Sequence, residues 1–309
     1  MRVNWKLSLV GLLIGALVGA TGMGGGSLMT PILVLLFGFK PSTAIGTDIL
    51  HGAIFKSFGA WRHRRLGTVS GRLTLWMLIG SAPMSLIGVT VATWLERDYG
   101  KGIETLQKQI LGVALLVCGL GFLIKALMRK RAPAGPLVLD RRGKVIAIVI
   151  GLIGGFVVGL TSVGSGTFFG LAILIIFPIA TATVVGTDIL HAAALLWVAG
   201  AGHLVAGNVD LRATGWLLIG SIPGVFAGSH VMIRLPDRAL RVALATTLSL
   251  SGLKLLDVPG SSWIVVIGLG VMVGALVVYG LRQFVLHRRT LAVRTAVVPA
   301  IDGLGAPAP

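Results

Sequence analysis

Gly46-Thr47-Asp48-Ile49-Leu50-His51 recurs unchanged as Gly186-Thr187-Asp188-Ile189-Leu190-His191, an offset of 140 residues. The same offset pairs Gly11, Gly15 and Gly19 with Gly151, Gly155 and Gly159, and Gly24 and Gly26 with Gly164 and Gly166. It also pairs Gly80-Ser81-x-Pro83 with Gly220-Ser221-x-Pro223. The chain is an internal duplication whose unit is far longer than the roughly 20–50 residues of a solenoid repeat. Both copies are strongly apolar, and duplicated sets of spanning segments are how many secondary transporters are built.

Hydrophobic residues make up 55% of the 309 and charged ones 12%, with a mean hydropathy of +0.95. That composition excludes a soluble globular domain and points to a polytopic membrane protein. A net charge of +17 raises the question of a nucleic-acid partner. The basic residues, however, fall in short breaks between apolar runs and form no stripe with interleaved aromatics. No nucleic acid is expected, and the charge reads as loops and a tail held at the cytoplasmic face. The first apolar stretch imitates a secretory signal, but its mate at 151–167 lies deep inside the chain, so it belongs to the fold.

Apolar runs fall near 8–38, 44–61, 73–95, 106–128, 145–177, 184–205, 213–235, 239–256 and 262–286. Seven are ordinary spans. The first and fifth exceed 30 residues and are interrupted by Gly22-Met23-Gly24-Gly25-Gly26-Ser27 and Ser162-Val163-Gly164-Ser165-Gly166-Thr167. Glycine weakens a helix, so each long run reads as two short helices joined by an unwound turn.

Equivalent loops carry opposite charge bias. Arg62, Arg64, Arg65 and Arg72 crowd one loop, while its mate has Arg212 offset by Asp210. The mixed loop 96–101 has a mate with Arg234, Arg238 and Arg241 against Asp237. That is the signature of two copies inserted in opposite orientations, which makes each broken segment a re-entrant hairpin; single crossings are the alternative, disfavoured because they would put the basic residues after 281 outside. The expected organisation is all-α: a first transmembrane repeat at 7–128, a basic cytoplasmic linker at 129–144, and a second repeat at 145–256. An extra C-terminal transmembrane helix at 260–287 and a disordered tail at 288–309 complete it.

Two sets of residues can carry chemistry. Unwound backbone at membrane depth lines a cavity or is buried in protein, and the amides at a helix N-terminus attract anions. Gly24, Gly25, Gly26 and Ser27, with Gly164, Ser165, Gly166 and Thr167, are therefore candidate substrate ligands, the alternative being close packing by small residues. The pairs Asp48/His51 and Asp188/His191 are spaced i,i+3 and share a helix face. Buried together, an acid and an imidazole can take up and release a proton. Thr47 and Thr187 are expected to line the same cavity. Local capping of the helix after Pro41 is the competing reading of the acids, and coordination of a divalent metal by both pairs is a further one. Lys56 has Leu196 as its mate and is expected to snorkel to the cytoplasmic surface, with attraction of an anion at the inner mouth as the alternative. His63 and His203 fall at loop edges, where an interfacial position is expected. Cys118 lies alone in an apolar run and is expected to pack in the core.

There is no nucleotide-binding G-x-x-x-x-G-K-[ST] loop, no H-E-x-x-H helix and no G-x-S-x-G elbow, so neither an ATPase nor an enzyme is expected. The residues Gly15-Ala16-x-x-Gly19-x-x-Gly22-x-Gly24-Gly25-Gly26-Ser27-x-x-x-Pro31, then Ala44-Ile45-Gly46-Thr47-Asp48, then Gly80-Ser81-Ala82-Pro83, all duplicated, resemble the sulfite exporter TauE/SafE family over about residues 7–285. The resemblance implies a multi-pass permease of a bacterial inner membrane that moves sulfite, sulfonates or related small organic anions without ATP or a cofactor. This chain departs from the family pattern in carrying an acid and a histidine after Thr47 and Thr187. Proton coupling reconciles those carboxylates with an anionic substrate.

Overall fold

The computed structural model describes residues 5–21, 26–99, 101–127, 137, 139–166, 168–231, 237–264, 267–268 and 270. Ten helices are described: α1 (Trp5–Thr21), α2 (Gly26–Phe37), α3 (Pro41–Arg65), α4 (Gly71–Tyr99), α5 (Lys101–Leu127), α6 (Arg141–Thr161), α7 (Phe168–Ile176), α8 (Thr181–Val205), α9 (Leu211–Val231) and α10 (Asp237–Leu255). No strand occurs among the described residues. Residues 1–261 form one compact unit and 262–309 another. The expected C-terminal helix at 260–287 lies mostly outside the described residues, and the tail wholly so.

Among the described residues, four helices are long and apolar enough to cross a bilayer: Gly71–Glu96, Thr105–Ile124, Arg141–Thr161 and Ala182–Val205. Helix α3 is as long as α8 but carries Asp48, Lys56 and the run Arg62 to Arg65, and the surrounding protein buries most of it. Outward positions are apolar, among them Leu75, Ile79 and Ile87 of α4, Val113, Val117 and Leu120 of α5, and Val145, Val149 and Ile153 of α6. Polar side chains point inward: Thr30, Thr47, Asp48, His51, Lys56, Ser81, Ser165, Thr187, Asp188, His191 and Ser221 are all buried. Apolar outside and polar within is the distribution a hydrocarbon solvent selects.

Helix directions follow from which residues meet. Gly11 and Gly15 of α1 abut the Leu217 and Ser221 backbone of α9, and their mates Gly151 and Gly155 abut Met77 and Ser81 of α4. A Cβ on any of these four would run into a peptide group, so only glycine permits the crossing. Numbers rise together in both pairs, so α1 runs parallel to α9 and α4 parallel to α6. Gly52 sits by Leu196 and Gly59 by Ile189, while Gly200 lies by Leu50. Helices α3 and α8 are therefore antiparallel. So are α5 and α10, where Gly112 meets Leu256 and Gly119 meets Ala245 and Ser249. Each copy lays its first helix on the fourth helix of the other copy.

The second glycine break doubles back. Gly154 of α6 touches Phe168 and Phe169 at the start of α7, and Gly143, near the start of α6, has Phe177 alongside. The chain rises along α6, turns through residues 162–166, and α7 returns down the same helix. The bundle's ends differ in charge. Arg62, Arg64, Arg65, Arg72, Arg141, Arg142 and Lys144 share one end with Asp140. At the other end Lys6, Lys40, Arg212 and Lys254 are mixed with Glu96, Asp210 and Asp257.

Candidate functional site

Helices α3 and α8 pack antiparallel and each carries one copy of the Gly-Thr-Asp-Ile-Leu-His motif in its first half. Asp48 is 1% and Asp188 4% exposed, and His51 and His191 are 3% and 0% exposed. The capping alternative does not hold. Helix α3 starts at Pro41, its N-cap Lys40 makes no side-chain cap hydrogen bond, and neither does Ala180 ahead of α8. Asp48 sits two turns further in, where the free amides of the first turn have ended.

Its Oδ2 accepts two hydroxyls, Thr30 Oγ1 at 2.5 Å and Ser162 Oγ at 2.7 Å. Thr30 belongs to α2, which follows the first break, and Ser162 opens the second. Both interrupted segments thus converge on one carboxylate oxygen, while Asp48 Oδ1 has no partner among the described residues. Charge-assisted bonds of this kind contribute about 1.5–3 kcal/mol each, against the several kcal/mol that a buried carboxylate costs.

The histidines repeat a single arrangement across the duplication. His51 Nε2 lies 2.9 Å from Ser221 Oγ, and His191 Nε2 lies 2.8 Å from Ser81 Oγ. Each serine comes from the Gly-Ser-x-Pro motif of the other copy. His191 also packs edge-on against Phe169 of the hairpin, with ring centroids 4.3 Å apart. Thr47 and Thr187 have a visible structural role: Thr47 Oγ1 accepts the Asp210 amide at 3.0 Å and Thr187 Oγ1 accepts the Ser70 amide at 2.9 Å. They tie the start of each central helix to a loop of the opposite copy.

The second break is unwound and buried. Ser162 has φ 65°, Gly164 φ 107° and Gly166 φ 151°, the left-handed region that costs a side-chain-bearing residue such as Ser162 about 1–2 kcal/mol. Thr161 Oγ1 accepts the Val163 amide, and Gly164 O accepts that of Gly166. The amides of Gly164 and Ser165 have no acceptor among the described residues. The interrupted end of α6 leaves a carbonyl at Gly159, and His203 Nε2 bonds it at 3.0 Å. His203 is fully buried, so its expected interfacial place is corrected: it caps the broken helix from within. Its mate His63 faces Thr68 at 2.9 Å and is partly exposed.

Lys56 is the larger correction. It is 3% exposed and reaches no surface. Its ammonium donates to the Ser165 carbonyl and, at 2.9 Å, to Ser165 Oγ. It also lies within electrostatic reach of both Asp188 and Asp48. A lysine whose mate is a leucine offers no repeat signal, and the arginines that follow it imitate a helix end at the membrane surface.

The structure thus sets Asp48 on Ser162 and Lys56 on Ser165 of one elbow, sets His51 and His191 each on a serine of the other copy, and leaves Asp188 within electrostatic reach of Lys56. Gly26 opens α2. Gly24, Gly25 and Thr167, together with the Ser27 side chain, lie outside the described residues. No group of three or more histidine, cysteine, aspartate or glutamate side chains among the described residues is placed to hold a metal ion. Cys118 is buried, as the apolar run around it implies. An outer groove of about 1040 Å³ between α4 and α8 is lined mainly by apolar side chains, including Leu86, Val89, Trp94 and Trp197, and by none of these buried polar residues.

A family profile described as Sulfite exporter TauE/SafE matches residues 7–255. The chain is 38% identical over 253 residues to "Probable membrane transporter protein YjnA" of Bacillus subtilis, covering 81% of this chain and 99% of that one. It is 25% identical to "Probable membrane transporter protein YdhB" of the same organism, covering 80% and 98%, and 22% identical to "Probable membrane transporter protein MJ0441" of Methanocaldococcus jannaschii, covering 81% and 94%. No solved structure matches the chain significantly.

Proposed function

The chain belongs to the sulfite exporter TauE/SafE family, and from that premise we propose that it is a secondary permease for small anions, sulfite or a sulfonate foremost, coupled to protons. It is a multi-pass membrane transporter and not an enzyme. The observation that carries the anion reading is the buried elbow at residues 162–166, whose Gly164 and Ser165 amides lack acceptors among the described residues and which Asp48 and Lys56 hold from the other copy. Amides released inside hydrocarbon need an acceptor, and a small oxyanion supplies several.

Proton handling falls to Asp48, His51, Asp188 and His191, because an anion can approach two buried carboxylates only when their charge is reduced. Antiparallel packing of α3 on α8 and of α5 on α10 favours insertion of the two copies in opposite senses, with the arginine-rich end in the cytoplasm and the inner membrane as the location.

A thermal-shift screen of the purified protein against sulfite, sulfoacetate, sulfate and divalent cations tests the substrate class. The proposal expects a rise in Tm with sulfite or sulfoacetate that grows as pH falls. Stabilisation by cations alone would replace it with a metal permease.

A further inference from the structure

The two copies are not equivalent at their breaks. Gly22 and Gly25 of the first stand where the second has Ser162 and Ser165, and Lys56 stands where α8 has Leu196. All three polar substitutions fall around one elbow. Ser162 donates to Asp48, Ser165 accepts from Lys56, and Lys56 acts electrostatically on Asp188, Asp48, His51 and His191. The polar equipment of a twofold scaffold has been concentrated on one of its two elbows.

We propose that Lys56 is the substrate-binding cation of the permease, and that the chain holds a single anion, at the second elbow, with Lys56 moving from the Ser165 carbonyl to the anion. This rests on the anion-permease reading above. A fully buried ammonium within a membrane protein demands partners, and here its donors end on an uncharged carbonyl and a hydroxyl. An oxyanion is a stronger acceptor than either, because hydrogen bonds between ionised groups are roughly twice as strong as neutral ones. The serine hydroxyl released by the exchange remains beside the elbow as a further donor.

Charge balance sets the coupling. The ionisable groups within electrostatic reach of Lys56 are Asp48 and His51 on its own helix and Asp188 and His191 on α8. With both histidines neutral and hydrogen-bonded to serines, one lysine and two carboxylates leave a net charge of −1. One proton on a carboxylate brings the centre to zero, and a monovalent anion then needs a second proton to keep it there. Each monovalent anion is therefore accompanied by one proton, and the pair moves without net charge.

The test compares wild type, Lys56→Met and Lys56→Arg by sulfite- and sulfoacetate-induced thermal shift, with Lys56→Gln as a second neutral variant should the methionine form not fold. Wild type and Lys56→Arg are expected to respond, and the neutral variants to bind about 10- to 100-fold more weakly, the range for losing a hydrogen bond to a charged group. A neutral variant that binds as wild type does overturns the assignment of Lys56 while leaving the anion permease intact. A wild type that responds to no anion overturns the permease reading and this inference with it. Uptake of methanesulfonate, a strictly monovalent anion, that builds up a membrane potential in proteoliposomes contradicts the one-to-one proton balance.

Discussion

Asp48 accepts the hydroxyl of Ser162 at 2.7 Å, and the two residues come from different copies of the duplicated unit. Sequence separation between them is 114, yet this contact fixes the elbow of the second copy against the central helix of the first. The exchange is general. His51 reaches Ser221, His191 reaches Ser81, and Thr47 and Thr187 bond loops of the opposite copy. Each half supplies the walls of the other, so neither half encloses a complete site, and any shift between them alters the elbow directly.

Ser162 holds its hydrogen bond at the expense of a left-handed backbone, with φ 65°. Ser162→Ala loses the bond and keeps the strain, and is expected to be destabilised by about 2 kcal/mol. Ser162→Gly loses the same bond but relieves about 1–2 kcal/mol of strain. The expected order of Tm is wild type, then glycine, then alanine, with anion uptake reduced in both variants. An alanine variant more stable than the glycine variant contradicts the assigned geometry.

Glycines at the helix crossings separate from those with room. Gly155 has the Ser81 backbone where its Cβ would lie, whereas Gly215 has nothing within 4 Å. Gly155→Ala is expected to cost about 1–3 kcal/mol by overpacking, while Gly215→Ala is neutral or gains about 0.5–1 kcal/mol from helix propensity. Comparison of the two melting curves in the same detergent checks this.

Much of this architecture is written locally in the chain. The 140-residue offset exposes the duplication, the glycine clusters mark where α1 gives way to α2 and α6 to α7, and the twin Asp-x-x-His motifs name the central helices. Legibility ends where the two copies differ or where partners are distant. Lys56 breaks the repeat, so nothing in the duplication singles it out, and its burial depends on an elbow more than a hundred residues away. Ser81 and Ser221 are visible as a repeated Gly-Ser-x-Pro motif, but that they bind the histidines is a fact of cross-packing. Thr47 and Thr187 share the acids' motif and yet serve loops, because one helical step is a rotation of about 100° that gives the threonine a different neighbour from the acid.

Membrane orientation has its own test. Arg65 and Val205 are equivalent positions, both exposed at helix ends. With Cys118 replaced by alanine, Arg65→Cys is expected to react with an impermeant maleimide only from the cytoplasmic side, and Val205→Cys only from the opposite side. Labelling of both from one side contradicts the inverted insertion.

The central claim, that protonation of the buried carboxylates admits an anion to the elbow, is tested most directly by sulfite uptake into proteoliposomes across an imposed pH gradient. Wild-type uptake should rise as the pH on the sulfite side falls, and the double variant Asp48→Asn/Asp188→Asn, which fixes both side chains in their uncharged form and leaves Lys56 alone to balance the anion, should transport with that dependence flattened. Uptake by the wild type that is indifferent to pH, or a profile of the Asp48→Asn/Asp188→Asn variant identical to a pH-dependent wild type, would contradict the account.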